Sequence, residues 1–222
     1  RVCNINPDMC IVNGQVVPFD IYQELTPEKS NYASSVHARG AKVLHVDSII
    51  TYRSHPEEAH AVVAELEKAG VKAAALPFDA SKSSSFEGFA TNLKQTLAQR
   101  FGRERFDFLV NNAGHGLMKP FTDTTEAELD ELFAVHVKAP YLLTQRLLPL
   151  LADGGRVLNV STGLARFTLP GYSAYAAMKG AIEVLTRYQA KELGARGISV
   201  NVIAPGAIET DFNGGALRSN EQ

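Results

Sequence analysis

Tyr175 and Lys179 are the residues whose types and spacing point most directly to chemistry. They lie four apart in a segment rich in Ala, Glu, Leu and Lys, which predicts a helix with the phenol and the ammonium on one face. A free tyrosine titrates near ~10, and a neighbouring lysine favours the phenolate. The pair therefore predicts proton transfer by a tyrosine of lowered pKa, although the same spacing also occurs on ordinary helices.

Three short apolar runs surround this pair, and each one ends in polar residues or glycine. They cover residues 106–110, 156–160 and 198–204, and they read as strands. The residues at their ends are Asn111, Asn112, Ala113 and Gly114 after the first, Ser161 and Thr162 after the second, and Pro205 and Gly206 after the third, with Thr210 four residues further on.

This ordered set resembles the short-chain dehydrogenase/reductase (SDR) family, and more narrowly its 3-oxoacyl-ACP-reductase-like members, over about residues 52–213. The resemblance rests on the Asn-Asn-Ala-Gly turn, the strand-end hydroxyl, Tyr-x-x-x-Lys and Pro-Gly. It implies an α/β fold with a Rossmann-like, doubly wound parallel sheet. It also implies hydride transfer between NAD(P)(H) and a small-molecule ketone or secondary alcohol.

By resemblance, Tyr175 donates or removes the hydroxyl proton, while Lys179 lowers the tyrosine pKa and binds the nicotinamide ribose. Thr162 lies thirteen residues before Tyr175, where the family usually carries its substrate-binding serine, and Ser161 is the alternative. His136 stands where the family usually has an asparagine that completes a proton relay. A histidine can still donate and accept, but a core histidine without a chemical role is the competing interpretation.

The resemblance also predicts the cofactor contacts. Arg53 and Ser54 match the position that holds a ribose 2′-phosphate, which favours NADP(H) over NAD(H); the alternative is that Ser54 only caps a helix and Arg53 is solvated. Asp79 matches an aspartate near the adenine ring, or it is a turn residue. The other predicted cofactor-binding residues are Asn111, Asn112, Ala113, Gly114, Tyr175, Lys179, Pro205, Gly206, Ile208 and Thr210.

Residues 1–51 depart from the family pattern, because Gly14 and Gly40 are the only glycines among the first 69 residues and no Gly-x-x-x-Gly-x-Gly turn exists. Asn13-Gly14 instead predicts a type I′ hairpin over residues 10–18. A helix is predicted from Thr26 to Gly40 and a strand over 42–46. Asp47 would end that strand, either as a ribose ligand or as a solvated turn residue.

We accordingly divide the chain into a divergent segment, residues 1–51, and an SDR-like Rossmann domain, residues 52–222, that lacks the final strand. The sheet is expected to be incomplete at both ends. The first segment is a divergent substitute, a fused module or a defective join in the gene; the sequence leaves these open. A catalytically silent SDR-like domain that acts as a binding module is the alternative to an enzyme.

Composition and charge limit the classes of partner that the sequence predicts. The 222 residues carry a net charge of −2, with 45% hydrophobic and 21% charged residues, which gives no electrostatic footprint for nucleic acid or membrane. Cys3 and Cys10 match no zinc spacing, so no metal site is expected, and two thiols suggest a reducing, cytoplasmic location. The resemblance implies a homo-oligomer formed through the helices near 125–151 and 173–194.

Overall fold

The structure, a computed structural model, describes residues 10–13 and 46–206 of the chain. Within these residues six strands form one sheet, and helices cover it. The strands are β1 (Cys10–Asn13), β2 (Asp47–Tyr52), β3 (Ala73–Pro77), β4 (Phe106–Asn111), β5 (Leu151–Val160) and β6 (Ser199–Ile203). The helices are α1 (Pro56–Lys68), α2 (Phe86–Thr96), α3 (Glu126–Phe133), α4 (Ala139–Leu147) and α5 (Ser173–Leu193).

The strands lie in the order β3-β2-β1-β4-β5-β6. The pairs β2–β3, β4–β5 and β5–β6 are parallel, so the predicted doubly wound α/β architecture is confirmed for these five strands. β1 differs, because it pairs antiparallel with both β2 and β4. The hairpin predicted over residues 10–18 is therefore wrong: both edges of β1 are occupied by other strands, and residues 15–18 lie outside the described part.

Alternation along the strands distributes the core over both faces of the sheet. Ile49 packs on one face with Leu93 of α2 and Leu143 of α4, in the larger hydrophobic cluster. The next residue, Ile50, packs on the other face with Ala59 of α1. Because helices cover both faces of the sheet, neighbouring residues of one strand are buried on opposite faces. This explains why β2 has four consecutive buried residues.

The N-terminal caps of α3 and α1 differ. Thr125 forms a capping box at the start of α3: its side chain accepts from the backbone N–H of Glu128, whose carboxylate accepts from the backbone N–H of Thr125. The alternative that Ser54 caps a helix is wrong. Residue His55 is the N-cap of α1 and makes no side-chain cap hydrogen bond, and Pro56 begins the helix one residue later than a Ser54 cap requires.

Two boundaries also differ from the prediction. The helix expected to reach residue 151 ends at Leu147, and β5 begins at Leu151, because a turn closes there through a hydrogen bond from Leu150 N to Leu147 O. β2 covers Asp47–Tyr52, directly after the strand predicted over 42–46. It crosses the division predicted between residues 51 and 52, which itself stays a prediction. The helix predicted over 26–40 lies outside the described residues.

Candidate active site

The predicted site residues gather at one edge of the sheet. The five strands other than β1 run in the same direction, so their carboxyl ends meet there; Asn111 pairs with Asn159, and Val160 with Ile203. Residues that follow these ends share the edge where open α/β sheets bind ligands. They are Arg53, Ser54, Asp79, Asn112, Ala113, Gly114, Ser161, Thr162, Pro205 and Gly206.

Thr162 and Tyr175 form the centre of this group. A side-chain hydrogen bond joins their hydroxyls, and both side chains are buried, 9% and 5% exposed. Thr162 Oγ1 also accepts from Leu164 N at 3.3 Å, which fixes its rotamer. The structure thus brings together the two hydroxyls that the thirteen-residue spacing had paired.

Ser161 faces the other way. Its hydroxyl lies 3.1 Å from both Lys179 O and Glu183 Oε1, and the side chain is buried. Neighbouring residues of an extended segment point to opposite sides, so Thr162 is directed to Tyr175 and Ser161 to the body of α5. Glu183 was missed in the sequence, and its position eight residues beyond Tyr175 on the same helix was the available signal.

Burial dominates the acidity of Tyr175. It raises the pKa of the phenol to about 12, more than the hydrogen bond with Thr162 lowers it. The expectation that Lys179 lowers this pKa is wrong for this geometry. Lys179 Nζ lies 5.8 Å from the centroid of the Tyr175 ring and donates instead to Val160 O at 2.8 Å.

Lys179 is itself buried, and this burial lowers the pKa of its ammonium to about 8. In the folded protein the amine loses its proton near pH 8, whereas in the unfolded chain it keeps it to its ordinary pKa of 10.5. Between those values the unfolded state binds more protons, so the free energy of unfolding rises with pH. Above about pH 10 the raised Tyr175 pKa acts in the opposite direction.

We therefore expect the free energy of unfolding to rise between about pH 8 and about pH 10 by up to about 3 kcal/mol through Lys179. In Lys179→Met this rise should disappear. Urea unfolding at a series of pH values measures it, and Lys191→Met, an exposed residue of the same helix, is the matched control. A Lys179→Met curve parallel to the wild type over this range would contradict the assignment.

His136 completes the buried group. It lies in a π-helical turn, Ala134–Lys138, is 1% exposed, and its ring meets that of Tyr175 edge-on at 5.4 Å between centroids. Its Nε2 donates to His115 O at 2.9 Å, which leaves Nδ1 as a buried acceptor without a hydrogen-bond partner among the described residues. Burial and the nearby Lys179 charge hold the pKa of His136 well below 6.5, so the ring is neutral.

Gly114 lies directly against this ring. A Cβ at this position would be 2.5 Å from His136 Cε1 and 3.0 Å from Nδ1. We expect Gly114→Ala to displace the ring and to destabilise the fold by about 1–3 kcal/mol. Gly88→Ala is the control, since no atom lies within 4 Å of its Cβ position in α2 and alanine favours the helix. Urea unfolding measures both, and equal stability of the two variants would overturn this interpretation.

The comparisons with known proteins agree with this arrangement. A family model described as enoyl-(acyl carrier protein) reductase matches residues 30–222. The hydroxynaphthalene reductase-like protein Arp2 of Metarhizium majus is 34% identical over 175 residues, which cover 78% of this chain and 61% of that protein. The chain belongs to the short-chain dehydrogenase/reductase family.

Solved SDR structures confirm the Rossmann architecture. The landomycin C-6 ketoreductase LanV with bound NADP and rabelomycin matches with a TM-score of 0.69 at 34% identity, over 73% of this chain and 66% of that one. An NADP complex of a short-chain dehydrogenase from Burkholderia cenocepacia J2315 matches with a TM-score of 0.67 at 33% identity, over 75% and 65%. The chain thus spans less than two thirds of the length of these relatives.

The SDR cofactor edge is held together by an amide network. Asn111 Nδ2 donates to Asn159 Oδ1 at 2.8 Å and to Thr144 Oγ1 at 3.1 Å, and Asn159 Nδ2 donates to Thr186 Oγ1 at 2.9 Å. Asn111, the last residue of β4, thus ties this strand to β5 and to α4. Asn159, Thr144 and Thr186 were missed in the sequence; the signal was one asparagine in an otherwise apolar strand.

The adenosine side shows looser contacts. Arg53 and Ser54 follow the end of β2 at the mouth of the edge, where both are exposed, and their contact with a 2′-phosphate stays a prediction. Asp79 accepts from Ser81 N at 3.0 Å and Ser81 Oγ at 2.6 Å, and although burial raises its pKa, these bonds and Lys82 lower it overall. The geometry favours the turn role for Asp79.

The predicted position of Asp47 at the end of a strand is wrong. Asp47 begins β2 instead of ending a strand, so it lies at the opposite edge of the sheet from the site, where its carboxylate accepts from Lys72 N at 2.8 Å. A ribose role is excluded by this position. On the nicotinamide side, Pro205 O accepts from Gly163 N at 2.7 Å and Gly206 is exposed. Ile208 and Thr210 lie outside the described residues.

The residues present fit one half of a nicotinamide dinucleotide. Lys179 gives one of its three ammonium hydrogens to Val160 O, which leaves donors for ribose hydroxyls, and His136 Nδ1 is an acceptor beside it. β1 does not fit the pyrophosphate. Its antiparallel direction places Cys10 at the site edge and Asn13 at the other, so β1 ends at the wrong edge to lead directly into a pyrophosphate-binding helix.

A pocket of about 410 Å³ is lined by Leu164, two residues after Thr162, and by Tyr172 and Ala176, which lie on either side of Tyr175 in the sequence. Its lining comes from the segment after β4, the segment after β5 and the first turn of α5, and none of the lining side chains is charged: Pro120, Phe121, Leu164, Thr168, Leu169, Pro170, Gly171, Tyr172, Ser173 and Ala176. Phe121, Leu169 and nearby Met118 are strongly exposed. Within the described ranges every helix is too short or too polar to cross a lipid bilayer.

Proposed function

We propose that this chain catalyses hydride transfer between NADP(H) and a small-molecule ketone or secondary alcohol, as an SDR oxidoreductase. The observation that carries the proposal is the hydrogen-bonded pair of Thr162 and Tyr175, buried at the carboxyl edge of the sheet, with Lys179 one turn further along α5. An apolar pocket is lined by residues close to this pair in the sequence, Leu164, Tyr172 and Ala176. Such convergence of titratable groups at a pocket is the usual mark of a catalytic site.

In this proposal Tyr175 is the general acid. A pKa of about 12 keeps the phenol protonated at neutral pH, so it has a proton to give to the oxygen of a carbonyl substrate. Thr162, bonded to the same hydroxyl, orients that oxygen where negative charge develops. At neutral pH the protonated phenol of Tyr175 is in the state that carbonyl reduction requires of a general acid.

Lys179 and His136 hold the other end of the site. The Lys179 ammonium donates to ribose hydroxyls, and neutral His136 accepts through Nδ1, so that the two can return a proton to Tyr175 after it has given its own to the substrate. The nicotinamide supplies the hydride when it is bound. NADP(H) is favoured over NAD(H) because Arg53 follows β2 at the adenosine side and because LanV and the Burkholderia relative are NADP complexes.

The pocket supports an uncharged, largely apolar carbonyl compound as the substrate, since its lining offers no charged group to a carboxylate or phosphate. One relative points the same way, because LanV is a ketoreductase whose structure holds rabelomycin. Localisation in the cytoplasm and a homo-oligomer stay predictions.

The experiment is reduction of 1-tetralone, a fused-ring ketone, followed by oxidation of NADPH and by chromatography of the alcohol. We expect alcohol to form in proportion to the NADPH consumed, with NADH less effective. No alcohol at saturating ketone and cofactor, from protein with a cooperative unfolding transition, would contradict the proposed function.

One observation favours a second function, a catalytically silent binding module. β1 runs antiparallel to β2 and β4, so it ends at Asn13 at the sheet edge opposite the site. A pyrophosphate-binding helix follows a strand that ends at the site edge, and dinucleotide affinity depends largely on that contact. If this holds, the apolar pocket binds uncharged ring compounds without turnover. Binding of 2-naphthol, followed by its fluorescence, without NADPH binding would support the silent module over the enzyme.

A further inference from the structure

The wall of the pocket that carries Pro120 and Phe121 belongs to a small closed unit. Its turn is fixed by Pro120 O, which accepts from Asp123 N at 3.0 Å and Thr124 N at 3.2 Å. The unit continues into the capping box of α3, where Glu128 Oε2 accepts from both the backbone N–H and the hydroxyl of Thr125 at 2.8 Å.

Lys119 closes this unit. Its Nζ donates to both carboxylate oxygens of Glu128, at 2.8 and 2.9 Å. The hydrogen bonds from Lys119 and then those from Thr125 lower the pKa of Glu128 to about 2, so the carboxylate is charged at every ordinary pH. The ion pair therefore anchors the start of the Pro120–Phe121 turn to the first turn of α3 without dependence on physiological pH.

The same residue reaches the opposite wall through its backbone. Lys119 N donates to Gly171 O at 2.7 Å, and Gly171 lines the pocket with a φ of +86°. A Cβ on Gly171 would lie 3.2 Å from Met118 Cγ and 3.6 Å from Lys119 N, so the two walls approach closely here. The backbone of Lys119 thus bonds the wall that contains Gly171, and its side chain bonds Glu128 in α3, which follows the wall that contains Pro120 and Phe121.

We propose that the Lys119–Glu128 ion pair is a positioning pair that sets the distance between the two pocket walls and thereby selects for bulky apolar ketones. The inference rests on the proposed function of the same site. Neither residue is among those that line the pocket, and the ion pair acts through the place it gives to Pro120, Phe121 and Gly171. A wider or mobile gap loses contacts with a ring system that fills it and hardly changes contacts with a small ketone.

Two variants test this. Glu128→Gln keeps an acceptor for the Thr125 cap but removes the charge, and Lys119→Met keeps the backbone donor to Gly171 but removes the ammonium. We expect each to raise KM for 1-tetralone about fivefold, the upper range for a partly exposed pair, with kcat and the KM for cyclohexanone within about twofold of the wild type. Glu87→Gln, from the exposed Glu87–Arg146 pair that joins α2 to α4, is the matched control and should change neither KM.

A second readout does not need turnover: the Kd of 2-naphthol, by fluorescence, should rise by the same factor in both variants. An unchanged KM for 1-tetralone and an unchanged naphthol Kd in both would overturn the positioning role. If the wild type reduces no ketone, the proposed function fails, but the naphthol measurement still decides whether the ion pair shapes the pocket. Equal increases in KM for both ketones would also count against the inference, because they show no selection by size.

Discussion

Replacing Tyr175 with phenylalanine is expected to lower kcat for ketone reduction by about a thousandfold. The ring packing is kept, including the edge contact with His136 at 5.4 Å, while the one hydroxyl placed to give a proton to the substrate is removed. General acid catalysis by a positioned side chain contributes roughly 10²–10⁴. The change should fall on kcat, with the NADPH Kd within about twofold of the wild type, since we propose that the Lys179 ammonium, which is unchanged, donates to the ribose hydroxyls.

Tyr188→Phe is the matched control, because Tyr188 lies on the same helix and is 64% exposed. It should leave kcat within about twofold of the wild type. Retention of more than about a tenth of the wild-type kcat by Tyr175→Phe would contradict the role of Tyr175 as general acid. In the wild type, any loss of kcat/KM just above pH 8 is expected to come from Lys179, whose pKa is about 8, and not from Tyr175.

The second large effect is expected at Thr162. Thr162→Val keeps the volume but removes the hydroxyl that bonds Tyr175 and orients the substrate oxygen, so we expect kcat to fall about 10²-fold, as for other single donors to a developing oxyanion. Ser161→Ala should leave kcat within about threefold, since that hydroxyl is bonded to Lys179 O and Glu183 instead, and should cost about 1 kcal/mol of stability. Steady-state kinetics and urea unfolding separate the two.

The opposite ranking, a larger kinetic loss in Ser161→Ala than in Thr162→Val, would show that Ser161 is the substrate ligand. It would also mean that the end of β5 rotates when substrate binds, so that Ser161 and not Thr162 is directed to Tyr175. Because the two residues are neighbours in sequence and differ by one methyl group, folding defects common to the strand end affect both variants alike.

The centre of the site was predictable because it depends on local order. Short apolar runs with polar ends give strands whose ends meet, and the thirteen-residue spacing from Thr162 to Tyr175 selects the hydroxyl that the structure joins to the phenol. The capping box of Thr125 and Glu128 is also a local feature, because its two residues lie within four positions of each other.

Properties that depend on packing were not predictable. Four residues of helix place Tyr175 near Lys179, but they do not tell which way Nζ turns, and its bond to Val160 O joins segments 19 residues apart. The direction of the Tyr175 pKa follows from burial by several elements at once. Lys119 was missed for a related reason, because a turn brings it back to Glu128 from nine residues away.

β1 shows a local signal overridden by distant partners. Asn13-Gly14 between β-rich runs is a strong hairpin pattern, yet residues 10–13 pair with β2 and β4, whose sequence lies 34 to about 100 residues further on. Strand pairing is decided by the open edges of neighbouring strands, and β2 and β4 each offer one. No local pattern in the sequence specifies which edge a short strand fills.

Titration of the protein with NADPH, followed by nicotinamide fluorescence and with NADH in parallel, tests the central claim most directly. We predict about micromolar Kd for NADPH, weaker binding of NADH, and loss of that difference in Arg53→Met. Absence of binding at about millimolar NADPH, from folded protein, would contradict the claim. The Thr162–Tyr175 pair would then belong to a family fold that keeps the catalytic residues but does not hold the cofactor.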